Sequence, residues 1–189
     1  MKLIVLIFTL LFLTSCASTQ FDLDKISLAS SGLFPTKSVT EKAELIKSDN
    51  LDFSKYNDFA FVQIYAGGHV DFLKGLLIKS NLFKNVYNET DFSDFLINVK
   101  RIDTGSISDL VGLHEVETKL GPFFFISMYL NSDNNVMTLT ISVFDTVTGK
   151  QVFHEQRSLT ENPYYSYDEL LFFPMFNSLI GWFHGKVNG

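Results

Sequence analysis

The 189-residue chain reads as an α+β fold, an antiparallel or mixed sheet packed by helices on at least one face. Three observations predict it. Residues 123–158 alternate as three strands joined by two turns, a meander. Residues 69–79 and 167–183 repeat apolar side chains at helical spacing. Phe59 to Ala66 is apolar on both faces, as a covered central strand must be. At this length one domain is expected, and its core needs no disulfide or metal. A composition of 46% hydrophobic and 19% charged residues is globular rather than disordered. The 20 phenylalanines read first as core and second as a sticky surface.

The first element is not part of that fold. Met1-Lys2 is a short positive start, and Leu3 to Leu13 follows without a charge. The stretch falls short of the roughly 20 apolar residues that span a bilayer and suits a signal-peptide hydrophobic region. It ends in Leu13-Thr14-Ser15-Cys16: a branched apolar residue, two small residues and the only cysteine of the chain. This tetrapeptide resembles the lipobox of bacterial lipoproteins. The resemblance implies a signal peptide over 1–15, cleavage after Ser15 and acyl chains on Cys16. It also implies a lipid-anchored envelope location. Ala17, where an Asp often marks inner-membrane retention in that family, implies the outer membrane facing the periplasm. A lone thiol has no disulfide partner, which agrees with lipidation. Several acyl chains on one residue hold far more firmly than the single chain that binds reversibly.

Residues 16–57 read as a lipidated tether with loop signals at Ser30-Ser31-Gly32 and Pro35. Ser38 with Glu41 fits a capping box, placing Val39, Ala43 and Ile46 on one face of a short helix. The single α+β domain is expected over 58–189. After the strand at 59–66, Gly67-Gly68 breaks the chain. Val70, Leu73 and Leu77 then line a helix to Lys79, and 82–87 forms a short strand or its approach. Phe95, Ile97 and Val99 alternate with Asn98 and Lys100, which predicts a half-buried strand. A helix over 106–120 is stopped by Gly121-Pro122. Met137, Leu139, Ile141 and Val143 carry the strongest period of two. Ser166 with Glu169 opens the terminal helix, kinked or restarted at Pro174.

The phrase Ser80-Asn81-Leu82-Phe83-Lys84-Asn85-Val86 after a strand and helix resembles small αβ domains of envelope lipoproteins. So does the hairpin from Val143 to Val152. These domains include the TolB amino-terminal domain, the curli secretion lipoprotein and the penicillin-binding-protein activator lipoproteins. The resemblance covers roughly 58–160. It implies binding and scaffolding of other proteins rather than catalysis, and assigns no functional residue.

Motifs that carry chemistry are sparse. The formal charge is -6; with Lys2 removed, 14 basic side chains face 21 acidic ones, a net -7. That opposes nucleic-acid binding, which needs clustered cations. Gly67-Gly68-His69 lacks the spacing of a phosphate loop. His114-Glu115 with Glu117 lacks zinc spacing, and His69, His154 and His184 have no local partner pattern. No nucleophile elbow is present. No catalytic residue, metal ligand or cofactor is therefore expected. Asn88-Glu89-Thr90 matches a glycosylation acceptor that a bacterium usually leaves unused. The terminal helix is apolar around most of its circumference, which means deep burial or a docking surface. Phe172, Phe176, Leu179, Trp182 and Phe183 are the candidate partner or ligand contacts. Three readings follow: a protein-binding or scaffolding lipoprotein with a periplasmic or outer-membrane partner, a carrier of lipid or a small hydrophobic ligand, and an envelope hydrolase.

Overall fold

A computed structural model of the chain describes residues 23–36, 44–47, 51–100, 102, 107, 110–160 and 166–185. Cys16 and the signal segment, the Ser38–Glu41 box and the start of the helix expected from 106 lie outside the described residues. Ten elements build the fold. They are β1 (Glu44–Lys47), β2 (Phe59–Tyr65), α1 (Val70–Lys79), β3 (Asn85–Tyr87), α2 (Glu89–Asp94), α3 (Leu110–Leu120), β4 (Phe124–Asp133), β5 (Val136–Asp145), β6 (Gln151–Thr160) and α4 (Phe173–Phe183). The strands form one mixed sheet in the order β1-β6-β5-β4-β2-β3. β2 runs parallel to both β3 and β4, and every other pair is antiparallel. The α+β expectation holds.

The sheet is covered on both faces at its centre. Ala60 and Val62 of β2, Phe124, Ile126 and Met128 of β4, and Leu139, Ile141 and Val143 of β5 point to one side. There they meet Leu73, Leu76 and Leu77 of α1 and Phe176 and Leu179 of α4. Phe59, Phe61, Phe123 and Phe125 point to the other side and pack against Phe92 and Leu96 of the α2 segment and Leu113 and Val116 of α3. Period-two alternation produces this split, since neighbours along a strand face opposite ways. The Phe61 ring lies 4.9 Å from Phe92 and 5.4 Å from Phe125, both stacked. Such ring pairs contribute about 0.5–1.5 kcal/mol each beyond area burial.

Local chemistry explains the joints. Asn134 and Asn135 both take positive φ, 50° and 62°, the two-residue turn whose twist matches an antiparallel pair. Gly121 ends α3 with φ 84°, its N–H donating to the Glu117 carbonyl at 2.7 Å. A widened helical turn, Asp168–Phe172, precedes Pro174, which sits at the start of α4. The chain is already helical before the proline, the Phe173 N–H donating to the Asp168 carbonyl, and a widened turn is a usual accommodation for a residue with no N–H to give. The restart expected at this proline is thus a wide turn followed by a regular helix.

Three expectations are corrected. Residues 89–99 are helical, not a strand at Phe95 to Ile102: α2 runs on through a wide turn, Phe95–Val99. Ile97 and Val99, expected inside, are 52% and 66% exposed, while Phe92 and Leu96 are buried. Ile46 lies in edge strand β1, antiparallel to β6, and not in a short helix. The segment read as tether joins the fold. Phe34 is buried between Phe173 and Phe176, 5.3 and 6.0 Å away. Asn177 closes the contact, accepting from the Phe34 N–H at 2.7 Å and donating to its carbonyl at 2.9 Å.

The covered side also holds carboxylates. Glu155 of β6 is fully buried; Arg157 Nε donates to its Oε1 at 2.6 Å and Ser178 of α4 bonds to it. Burial nevertheless raises its pKa, because desolvation disfavours the charged form more than these partners favour it. Asp168 is pushed up to about 6 by burial and then by Glu169 beside it.

Two outcomes follow. Phe176→Ala removes a ring buried beneath the sheet and should cost about 3–5 kcal/mol in denaturant unfolding, whereas exposed Val111→Ala should stay within about 0.5 kcal/mol. The native state binds the Asp168 proton more tightly than the unfolded chain, whose value is near 3.8. The side chain therefore lowers stability progressively from about pH 4 to about pH 6 and fully above that. Melting curves of Asp168→Asn should lie above the parent at pH 7 and converge with it near pH 4; parallel profiles would refute the assignment.

Candidate functional site

A cleft of about 270 Å³ opens where β3 stops short. β3 pairs only with Phe59–Phe61, yet β2 continues through Val62, Gln63, Ile64 and Tyr65. At Asn88 the chain leaves the sheet, because the Asn88 side chain caps α2 and accepts from the Asp91 N–H at 2.8 Å. The sequence Asn88-Glu89-Thr90 is thus a helix cap in the structure. α1 lies on the opposite layer and supplies Val70, Asp71 and Lys74 to the cleft, while Asn88, Glu89 and Thr90 form the facing wall. Lys74 Nζ reaches Asp91 Oδ2 at 2.7 Å and ties the two walls together. That hydrogen bond, ahead of its Coulomb attraction, holds the Asp91 carboxyl below its ordinary pKa. With Lys74 neutralised by Asp91, the carboxylates of Asp71 and Glu89 leave the cleft acidic.

Beyond the cleft no helix covers one face of the sheet among the described residues. α2 and α3 cover the phenylalanine rows and end there. Two cross-strand rows continue past them: Ile46, His154, Ser142, Ser127 and Gln63, then Gln156, Thr140, Tyr129 and Tyr65. Tyr65 and Tyr129 are direct neighbours, 57% and 54% exposed. Hydroxyl and amide groups lace the rest: Ser142 Oγ lies 3.0 Å from His154 Nδ1 and accepts from Gln151 Nε2 at 3.1 Å. Thr138 and Ser158 bond at 2.8 Å.

The Ser142–His154 contact is the nearest approach to a nucleophile and base. Ser142 is buried to 9% exposure on a flat face, and no carboxylate orients His154 among the described residues. Catalytic acyl transfer needs that third group and a site for the oxyanion. His114 Nδ1, on an exposed side chain of α3, is 3.4 Å from Oε2 of the largely covered Glu117 and 3.3 Å from the carbonyl of the buried Thr146. Among the described residues no group of three His, Cys, Asp or Glu side chains is placed to hold a metal. Gly67 makes the turn into α1 with φ 52°, a conformation glycine adopts without strain.

The aromatic stripe of the terminal helix is used inside the fold. Phe172, Phe176, Leu179 and Trp182 are buried and Phe183 is half-buried. Trp182 lies 5.3 Å from Phe153 and 5.1 Å from Phe53, and Phe183 is edge-on to Phe83 at 5.0 Å. The structure brings these five together as core. The cleft residues were not legible as a set; their meeting depends on how early β3 ends.

Comparison with family models finds no match, and comparison with curated protein sequences finds none either. Solved structures show a likeness of arrangement. A PelC dodecamer from Paraburkholderia phytofirmans has a TM-score of 0.40 at 8% identity, over 79% of this chain and 99% of that one. The LpoB C-terminal domain from Salmonella enterica has 0.39 at 10% identity, over 60% and 88%. Lipoprotein GNA1162 from Neisseria meningitidis has 0.37 at 11% identity, over 69% and 98%. A bacterial lipoprotein is thus among the structures the chain resembles. At this level a shared arrangement of elements implies no shared chemistry or partner.

Proposed function

We propose that the chain is a lipid-anchored protein of the bacterial envelope whose folded domain binds another protein and performs no reaction. The observation that carries the binding reading is the exposed tyrosine pair on the sheet: Tyr65, which lines the cleft, stands beside Tyr129 of the neighbouring strand. Tyrosine presents a large apolar ring and a hydroxyl with little rotamer freedom to lose, and is enriched in protein interfaces. The surrounding hydroxyl and amide side chains suit the polar part of such a contact. The lipobox-like segment supports the anchor, with Cys16 carrying the acyl chains and the domain held on the periplasmic side of the outer membrane. The carrier reading gains nothing from the terminal helix, since its aromatic stripe packs against the sheet and Phe34.

Two measurements test this. A photo-crosslinking residue at Tyr129 should give a discrete protein adduct in cells, and one at Lys150, on a turn away from the patch, should give none. A folded chain that gives no adduct at Tyr129 or Tyr65 refutes the binding surface. Separately, the parent should fractionate with membranes and carry acyl mass, while Cys16→Ser should be released without it; equal masses and equal fractionation refute the anchor.

A further inference from the structure

We propose that the cleft receives an extended peptide segment of a partner protein, added as a strand along the free edge of β2, with a Lys or Arg side chain held between Asp71 and Glu89. This deepens the protein-binding reading above and rests on it.

The backbone sets the mode. The Asp58 carbonyl accepts from the N–H groups of Lys84 at 2.7 Å and Asn85 at 3.4 Å, so the main chain at Asp58 faces the β3 edge. Main-chain groups alternate with a period of two along a strand, as side chains do. Ala60, Val62 and Ile64 therefore turn their polar groups to the same edge. Ala60 lies within the stretch that β3 covers, since the pairing ends at Phe61 and Tyr87. Both polar groups of Ile64 face the cleft beyond it, while Val62, 1% exposed, is closed over by the core. On its other side β2 is fully paired to β4, from Ala60 through Tyr65. Among the described residues the open edge spans Gln63, Ile64 and Tyr65, about 10 Å at the rise of a strand. A free sheet edge is a template for another strand, and main-chain bonds supply affinity when a peptide takes it.

The walls set the chemistry. Asp71 stands on α1 and Glu89 on α2, both exposed and on opposite sides of the groove. Lys74, the one cation among the described residues that line the cleft, is spent on Asp91 at 2.7 Å. An acidic segment would be repelled and a basic one complemented. Ile64 and Val70, both half-buried, give the groove its apolar lining for the alternate side chain.

The test selects an unbiased library of heptapeptides on the full chain in detergent. Enrichment of Lys or Arg at one position is expected, flanked by β-branched residues. The best peptide should lose binding when its alternate amides are N-methylated, which removes donors and leaves side chains. Asp71→Asn combined with Glu89→Gln should weaken it about three- to tenfold and abolish its preference over the Gln-substituted peptide. Glu115→Gln, exposed on α3 at the opposite end of the sheet, should change nothing. Selection of acidic peptides, indifference to N-methylation, or indifference to the double substitution overturns the proposal. Self-association abolished by the same double substitution overturns it too, since a second copy then fills the edge. A Tyr129 adduct that survives while peptide selection fails leaves the binding surface standing and refutes strand addition alone.

Discussion

Everything in this fold hangs on the parallel pairing of β2 with β4. It sets Phe59 and Phe61 beside Phe123 and Phe125, so four aromatic side chains share one face across two central strands. The same register sets Ala60 and Val62 beside Phe124, Ile126 and Met128 on the opposite face. A sheet loaded this way must be covered twice. α1 and α4 cover one face and the α2 segment with α3 covers the other. Without either layer, a row of large rings would meet water at about 25 cal/mol for each Å² exposed.

The coverage is uneven, and the functional surface follows from that unevenness. The phenylalanine rows occupy one end of β2 and β4. Past them the outward positions turn polar: Gln63, Ser127, Ser142 and Thr140. A helix there would bury hydroxyls and amides at a cost, so α2 and α3 stop and the tyrosines remain exposed. The cleft arises in the same place for a related reason. Asn88 caps α2 by turning the chain out of the sheet, and the cap that starts the helix therefore ends β3. Two walls on different layers then stand apart across a strand edge, joined by one ion pair.

The meander and the two long helices were legible because one apolar face against one polar face is written directly in period. Met137, Leu139, Ile141 and Val143 alternate with hydroxyl residues and do lie inside. The α2 segment was ambiguous because Phe95, Ile97 and Val99 satisfy a period of two while Phe92, Phe95 and Leu96 satisfy a helical one. The cap at Asn88 with Glu89 and Asp91 in the first turn was the signal that favoured the helix. Phe34 was unreadable for a different reason. Its loop has no period, and its burial depends on Asn177, 143 residues away.

By itself the sequence determined the α+β class, the three-strand meander, the deeply apolar terminal helix and the lipobox-like start. Each is a local pattern whose physics acts between near neighbours. Only the tertiary structure decided that the terminal helix serves as core, that β1 joins the sheet from a segment resembling a tether, and that, among the described residues, a strand edge lies open between two helices. Those outcomes depend on which surfaces meet across long sequence separations. Spacing along the chain sets which face a residue takes, but not what that face will find.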